Sequence, residues 1–254
     1  MKESKNRIHE EPYSEIKGLP PSFFEHNRTT YLRNLKIRFP QLKQNSIIVF
    51  QGGDLVPKYD SDTYYYYFDQ ESCFYYLTGV RDPGMKFILD VQSGDAFLFY
   101  QPEPEENRVW MTIPTKEEIE NKYNIKTYLM SELNDFIQRR NMETIYIMDG
   151  INPNSGTPCL SAELDFKGDL AYLNERISHD KNIYMVLCDT RQVKNEEERQ
   201  LLKYIAKISN DAHLELMKSM KPGMYERDME NVFCQYLRNK YNTRFWAYNC
   251  ICGS

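Results

Sequence analysis

The chain has 254 residues, of which 32 are basic and 37 acidic, so its formal net charge is −5. This charge argues against a dedicated nucleic-acid-binding protein, which carries a clustered basic excess. Aromatic residues make up 14% of the chain and argue against intrinsic disorder. Apolar runs are far shorter than a membrane span, and residues 1–18 lack the apolar region of a secretory signal. We therefore expect a soluble, cytoplasmic protein without a membrane partner.

The first third of the chain predicts a helix followed by short strands. Ser22 is a candidate N-cap, and Pro40 ends the apolar spacing that begins at Phe24. Strand-like runs follow at Ile47–Gln51, Tyr64–Phe68, Lys86–Val91 and Ala96–Tyr100. Gly94, after Ser93, is placed to form a hairpin turn between the last two runs.

The next part alternates helices with strands. Thr115 and Glu118 form the pattern of a capping box for a helix to Tyr123, and Ser131 is a candidate cap for a helix to Arg140. Further segments are predicted as strands at Thr144–Asp149 and Ile183–Cys188, with a helix near Leu164–Ile177 between them. This alternation predicts a mixed α/β fold, with a mixed sheet flanked by helices, for a domain of residues 1–188.

Residues 189–254 differ in texture. Asn195 precedes three glutamates and predicts the start of a long helix, which Pro222 and Gly223 interrupt. A second helix and a strand-like run after Lys240 follow. Two helices and one strand are too small to enclose a core of their own, so we expect this segment to be the incomplete start of a second domain.

The chain has six cysteines, and the two at its C-terminal end allow two interpretations, a metal site or the packing of reduced thiols. Cys250 and Cys252 form a C-x-C pattern, whose sulfurs lie on one face if the segment is a strand. Two thiolates could bind a metal, but the sequence shows no second Cys or His pair at ligand spacing. Packing of reduced thiols is the favoured interpretation.

The remaining candidate groups favour structural roles. The histidines lack the i, i+4 pairing of a metal site, and His213, beside the apolar stripe of the long helix, is expected to be a hydrogen-bonded structural residue. The tyrosines of the Tyr64–Tyr67 run would alternate between the two faces of a strand, which favours packing over a stacking platform.

Several longer blocks match a known family. They read FFEHNRTTYLRNL at residues 23–35, VFQGG at 49–53, QESCFYYLTGVRDPG at 70–84, GINPNSGTPC at 150–159 and YNCICGS at 248–254. The blocks occur in order over nearly the whole chain and resemble the prolidase and aminopeptidase P family of metallopeptidases. The GINPNSG and CICGS segments favour the prolidase branch of that family.

The resemblance implies a creatinase-like N-terminal domain over residues 1–188 and the start of a "pita-bread" catalytic domain over residues 189–254. The implied reaction is hydrolysis of Xaa-Pro dipeptides by two Mn²⁺ ions in a homodimer. The family's metal ligands follow the CICGS strand, so none is assigned in this sequence, and we expect the chain as printed to be inactive alone.

The resemblance also implies three substrate-binding residues. Tyr248 and Ile251 match positions that line the substrate pocket, and Trp110 matches an aromatic residue that reaches the partner subunit's active site. Plain packing is the alternative role for all three. Two alternative functions stay open: an aminopeptidase P, which accepts longer peptides, and a non-catalytic dimerisation or partner-binding module of the same fold.

Overall fold

The structure, a computed structural model, describes residues 19–64, 68–243 and 246–253. One compact unit comprises Pro20–Val193, and a second contains Lys194–Ser254. The assignment of residues 1–188 and 189–254 to the two domains of the family stays a prediction. Within the described ranges, no helix combines the length and the apolar composition that a membrane crossing needs.

A six-stranded mixed sheet forms the centre of the Pro20–Val193 unit. Its strands are β1 (Ser46–Gln51), β2 (Lys86–Asp90), β3 (Ala96–Tyr100), β4 (Lys126–Leu129), β5 (Thr144–Ile147) and β6 (Ile177–Ser178), in the spatial order β4-β3-β2-β1-β5-β6. The pairs β1–β2 and β2–β3 are antiparallel, whereas β1–β5, β3–β4 and β5–β6 are parallel. The sheet confirms the predicted mixed α/β class.

Helices flank both faces of this sheet. They are α1 (Pro21–Arg38), α2 (Ser72–Thr78), α3 (Lys116–Tyr123), α4 (Leu133–Arg140) and α5 (Asn182–Gln192). Alternate residues of β1 serve the two faces: Ile48 and Phe50 pack with α1, α2 and α5, whereas Ile47 and Val49 pack with α4. Because β1 is covered on both sides, its sequence is a continuous apolar run rather than an alternating one.

The predicted strand at Ile183–Cys188 is wrong, since this segment lies inside α5. The run is rich in β-branched and aromatic residues, but Ile183, Val186, Leu187 and Thr190 are the buried positions. That spacing of three and four residues gives a helix one apolar face, which packs onto α1. The Tyr31 hydroxyl donates a hydrogen bond to the Ile183 carbonyl at 2.9 Å and fixes the start of the helix.

Other sequence predictions differ at element ends. Ser22 lies inside α1, where Pro20 occupies the N-cap position without a capping side chain. Ser131 lies in a 3₁₀ turn at Met130–Glu132, and the Glu132 carboxylate accepts the Leu129 N–H instead. The segment predicted as a helix at Leu164–Ile177 contains a 3₁₀ helix at Gly168–Arg176 and then begins β6 at Ile177.

The capping box at Thr115 and Glu118 is confirmed. The predicted strand at Tyr64–Phe68 falls largely outside the described residues; Tyr64 itself is exposed and forms an isolated bridge with Pro57.

The second unit contains the helices α6 (Glu196–Ser219) and α7 (Glu226–Tyr241). Asn195 caps α6 through a capping box with Glu198, as predicted. Ile208, Ala212 and Leu237 form the buried contact between the helices. The strand predicted after Lys240 is not formed in residues 246–253, and the described residues of this unit contain no other strand with which it could pair.

Candidate functional site

Trp110 lies at the end of a short, internally hydrogen-bonded loop after β3. A 3₁₀ helix at Glu105–Val109 precedes it, and its backbone N–H donates to the Asn107 carbonyl at 2.9 Å. The Asn107 side chain in turn donates to the Glu103 carboxylate at 2.8 Å. These local bonds define the backbone on which the indole is carried.

The side chains at this loop tip are exposed and apolar. Trp110 is 86% exposed, and its neighbours Val109 and Met111 are also largely solvent-exposed. An exposed tryptophan does not contribute to the core, and a contiguous exposed apolar group is typical of a binding surface. The loop therefore fits the contact role that the family resemblance implies for Trp110.

Tyr248 and Ile251 lie in the other unit, in the segment 246–253. They are 82% and 93% exposed, so neither side chain packs into the α6–α7 contact. Trp246, two residues before Tyr248, does pack there, with the Arg238 guanidinium 5.1 Å from its ring centre. The segment is thus attached at Trp246, and both predicted substrate residues are available for contact.

The Gln70–Gly84 block, the longest match to the family, builds scaffold. The side-chain oxygen Oε1 of Gln70 accepts from the Gly53 and Glu71 N–H groups at 2.7 and 2.9 Å, and its side-chain nitrogen Nε2 donates to the Asp82 carbonyl at 2.9 Å. One side chain thereby ties together the VFQGG segment, the start of α2 and the turn before β2. The Gln70–Gly84 block therefore positions the backbone of neighbouring segments.

Buried thiols in the described residues are not activated nucleophiles. Burial raises the pKa of the Cys73 thiol to about 12, with the adjacent Glu71 adding to this effect and Arg191 opposing it. Burial also raises the pKa of Cys159. A nucleophilic cysteine needs a lowered pKa, so neither thiol is activated.

Two histidines in the described ranges have polar neighbours. His213 is exposed on α6, with its Nδ1 2.7 Å from the Ser209 carbonyl oxygen and its ring against Phe233. His179 lies with Nδ1 3.6 Å from the Asp149 carboxylate. Neither belongs to a group of three potential metal ligands among the residues that the structure describes.

One such group does occur in the described ranges. Glu230, Cys234 and Cys250 place one ligand atom each within 4.8 Å of one another. A thiol-rich set does not suit the harder Mn²⁺ ion, which prefers oxygen ligands. The described residues therefore do not fit the dimanganese centre that the resemblance implies, and no catalytic step follows from them. Sequence reasoning examined Cys250 with Cys252 and missed Glu230 and Cys234, whose i, i+4 spacing on a predicted helix was the available signal.

Comparison with known proteins identifies the class. Residues 24–146 match the family described as aminopeptidase P, N-terminal domain. The Xaa-Pro dipeptidase of Homo sapiens is 31% identical over 243 residues, which cover 95% of this chain and 48% of that protein.

Two solved structures share the fold. E. coli aminopeptidase P with the inhibitor Pro-Leu has a TM-score of 0.68 at 18% identity, covering 92% of this chain and 52% of that one. The Zn-substituted E. coli aminopeptidase P in complex with product has a TM-score of 0.62 at 17% identity, with the same coverage.

The resemblance predicted from the sequence is confirmed. Residues 24–146 belong to the aminopeptidase P N-terminal domain family. The chain is related more specifically to the Xaa-Pro dipeptidases, a group of peptidases, and spans about half the length of the curated relatives it matches.

Proposed function

We propose that the chain supplies the N-terminal domain and the beginning of the catalytic domain of an Xaa-Pro dipeptidase. The observation that carries this proposal is the match to human Xaa-Pro dipeptidase over 95% of the chain. An Xaa-Pro bond is a tertiary amide without an N–H, so a peptidase cannot align it as an ordinary hydrogen-bonded strand. A dedicated pocket with aromatic and apolar walls is the physical answer to such a substrate, and the chain offers exposed residues of that kind.

The metal requirement belongs to the same proposal. We infer two Mn²⁺ ions in the complete enzyme, held by oxygen-rich ligands outside the described residues of this chain. When bound, such a pair lowers the pKa of a bridging water and polarises the scissile carbonyl. The contribution of Tyr248 and Ile251 is to contact and orient the dipeptide.

The test compares two proteins. The 254-residue chain is assayed with Gly-Pro and excess Mn²⁺ beside a protein extended by the reading frame that follows Ser254 in the gene. We expect turnover from the extended protein alone, since a dinuclear site cannot form without its ligands. Metal-dependent turnover by the 254-residue chain would contradict the proposal that the metal ligands lie outside its described residues. Inactivity of both proteins would contradict the proposed dipeptidase activity.

We also propose that the complete enzyme is a homodimer in which Trp110 acts across the subunit interface. Its support is the exposed apolar tip formed with Val109 and Met111. In the extended enzyme, Trp110→Ala should raise KM or lower kcat for Xaa-Pro dipeptides, while Trp110→Phe should retain more activity.

Mixed dimers decide between action in cis and in trans. A Trp110→Ala subunit that carries the metal ligands is paired with a subunit that lacks them but keeps Trp110. If Trp110 serves the neighbouring site, this heterodimer should keep normal kinetics at its single metal site. The full Trp110→Ala defect in the heterodimer would show action within the same subunit.

An aminopeptidase P is the alternative that the fold neighbours favour. Comparison of Gly-Pro with a longer Xaa-Pro peptide separates the two activities, and we expect preference for the dipeptide. A cytoplasmic location is also proposed, because all six cysteines are unpaired. Fluorescence microscopy of the tagged extended protein tests that location.

A further inference from the structure

Two cysteines far apart in sequence approach each other in the second unit. The Sγ atoms of Cys234, on α7, and Cys250, in the segment 246–253, are 3.8 Å apart. Glu230 lies one helical turn before Cys234, and its carboxylate completes a group whose ligand atoms lie within 4.8 Å of one another. Cys234 is buried and Cys250 is half-buried.

The sulfur separation matches a particular coordination geometry. Zinc binds thiolate sulfur at about 2.3 Å with tetrahedral angles, so two sulfurs on one zinc ion lie about 3.8 Å apart. A disulfide would require the sulfurs to approach to about 2.05 Å. The observed Sγ–Sγ spacing therefore matches the separation of two thiolates on one zinc ion.

The donor set is also appropriate for zinc. Two thiolates and one carboxylate supply three ligands of the types that zinc accepts, and they leave a fourth position for water or a further side chain. Glu230 and Cys234 share one face of α7 because they are four residues apart.

We propose that Glu230, Cys234 and Cys250 form a structural zinc site that anchors the segment 246–253 to α7. The segment carries Tyr248 and Ile251 but forms no strand, and Trp246 is its main apolar attachment. A zinc ion bound at Cys250, four residues after Trp246, would supply a second attachment point. It would fix the stretch of backbone from which Tyr248 and Ile251 project.

Cobalt substitution tests the site in the full chain under reducing conditions. Co²⁺ bound by thiolates in a tetrahedral site gives a sulfur-to-cobalt charge-transfer band, which an oxygen-ligated metal pair does not give. We expect this band with one Co²⁺ per chain, and we expect Zn²⁺ to displace the cobalt and remove it. Cys234→Ser and Cys250→Ser should each abolish the band, whereas Glu230→Gln should keep it and release the ion at lower chelator concentration.

Controls separate this site from other thiols. Cys159→Ser, in the other unit, should leave the band and the stoichiometry unchanged. Cys252→Ser should also keep the band; its loss in that variant with retention in Cys234→Ser would instead show a C-x-C site and overturn the proposal. Absence of the band in the unsubstituted chain would leave the 3.8 Å approach as simple packing of two thiols. A failure here leaves the peptidase proposal intact, because the readout does not depend on activity.

A second measurement follows the segment directly. Zinc should slow proteolytic cleavage within residues 246–253 of the unsubstituted chain, and Cys250→Ser should remove that protection. Equal cleavage rates with and without zinc, despite stoichiometric binding, would contradict the anchoring role.

Discussion

Asp90, at the end of β2, is a buried carboxylate with every oxygen engaged. One oxygen accepts the N–H groups of Gln92 and Ser93, both at 2.9 Å, and shapes the turn that leads to β3. The other receives the Arg140 guanidinium at 2.8 Å. Arg140 also lies 4.4 Å from the centre of the Phe97 ring. The pair thereby connects the β2–β3 turn with the end of α4.

Asp90→Asn should destabilise the chain by about 2–4 kcal/mol. The asparagine keeps an acceptor for the turn but leaves the Arg140 charge partly buried without its partner, and removing one member of a buried pair is costly. Urea unfolding followed by circular dichroism measures the loss. Asp165→Asn is the matched control, since the Asp165–Lys167 pair is largely exposed and should change stability by less than about 1 kcal/mol. Equal effects of the two variants would contradict the structural role of Asp90.

For Trp110, unlike Asp90, we expect substitution to leave the stability of the fold nearly unchanged. Trp110→Ala should change the free energy of unfolding by less than about 0.5 kcal/mol, because the side chain is exposed. Phe74→Ala is the control, since Phe74 is fully buried in the cluster with Phe50 and Phe87 and should cost about 3–5 kcal/mol. A loss of several kcal/mol for Trp110→Ala would place the indole in a core and remove the support for its contact role.

At the scale of elements, α2 ends at a glycine that is constrained twice. Gly79 has φ +72°, a left-handed conformation, and a Cβ added there would overlap the Phe24 ring of α1. The first constraint concerns the backbone and the second the packing of two helices.

Gly156 separates these two constraints. It has φ +71°, but a Cβ there would meet nothing within 4 Å. Gly156→Ala should therefore cost about 1 kcal/mol through the backbone alone, and Gly79→Ala a further 1–3 kcal/mol through displacement of Phe24. Thermal unfolding of both variants tests the difference. If they are equally destabilised, the close approach of α1 to α2 is wrong.

The helical pair α6–α7 offers a pH-dependent contact. The Tyr241 hydroxyl donates to the Asp211 carboxylate, and this bond, aided by Lys207 and Lys240, lowers the pKa of Asp211 below its ordinary value of 3.8. A lowered folded-state pKa means that the carboxylate stabilises the fold above pH 3.8 and that this contribution is lost as the pH falls through the folded-state pKa.

Asp211→Asn should thus destabilise the pair at pH 7 by less than about 1 kcal/mol, since the site is solvent-screened. The difference from the unsubstituted chain should shrink as the pH falls below 3.8 and vanish below the lowered folded-state pKa of Asp211, where both side chains are neutral. Trp246 fluorescence in a Trp110→Phe background reports unfolding of this unit. A difference that persists unchanged at low pH would show that the charge of Asp211 is not the cause.

Elements were predictable where local signals agreed with packing. The capping boxes at Thr115 and Asn195 need only neighbouring residues, so the starts of α3 and α6 follow from the sequence. The run Ile183–Cys188 has strand-forming residues, but burial against α1 selects its helical face. Local preference is weaker than tertiary packing there, and one sequence does not show which neighbour a segment will meet.

At the scale of the whole molecule, the candidate functional residues fall into two groups: those whose surroundings are local in sequence, and those that only the tertiary structure brings together. The exposure of Trp110 is a property of its own short loop, which local hydrogen bonds define. The approach of Cys250 to Cys234 depends on how the chain returns to α7 after Asn242, which no local pattern encodes. The sequence motif C-x-C therefore drew attention to Cys252, while the structure groups Cys250 with α7.

The division of the chain into two units predicts where a protease will cleave it first. Helix α5 ends at Gln192 and α6 begins at Glu196, so the connection is short and Val193 is strongly exposed. Arg191 is less suited to cleavage because it is helical and its guanidinium lies 3.2 Å from the Ser72 hydroxyl. Proteases cut exposed, non-helical backbone.

Brief trypsin treatment should therefore cleave after Lys194 and leave a stable fragment that ends there, identified by mass spectrometry. Lys194→Gln should suppress that fragment without changing the thermal transition of the Pro20–Val193 unit. Early cuts within α1–α5, ahead of any cut at Lys194, would contradict the compactness of that unit and the proposal that it is the N-terminal domain of the enzyme.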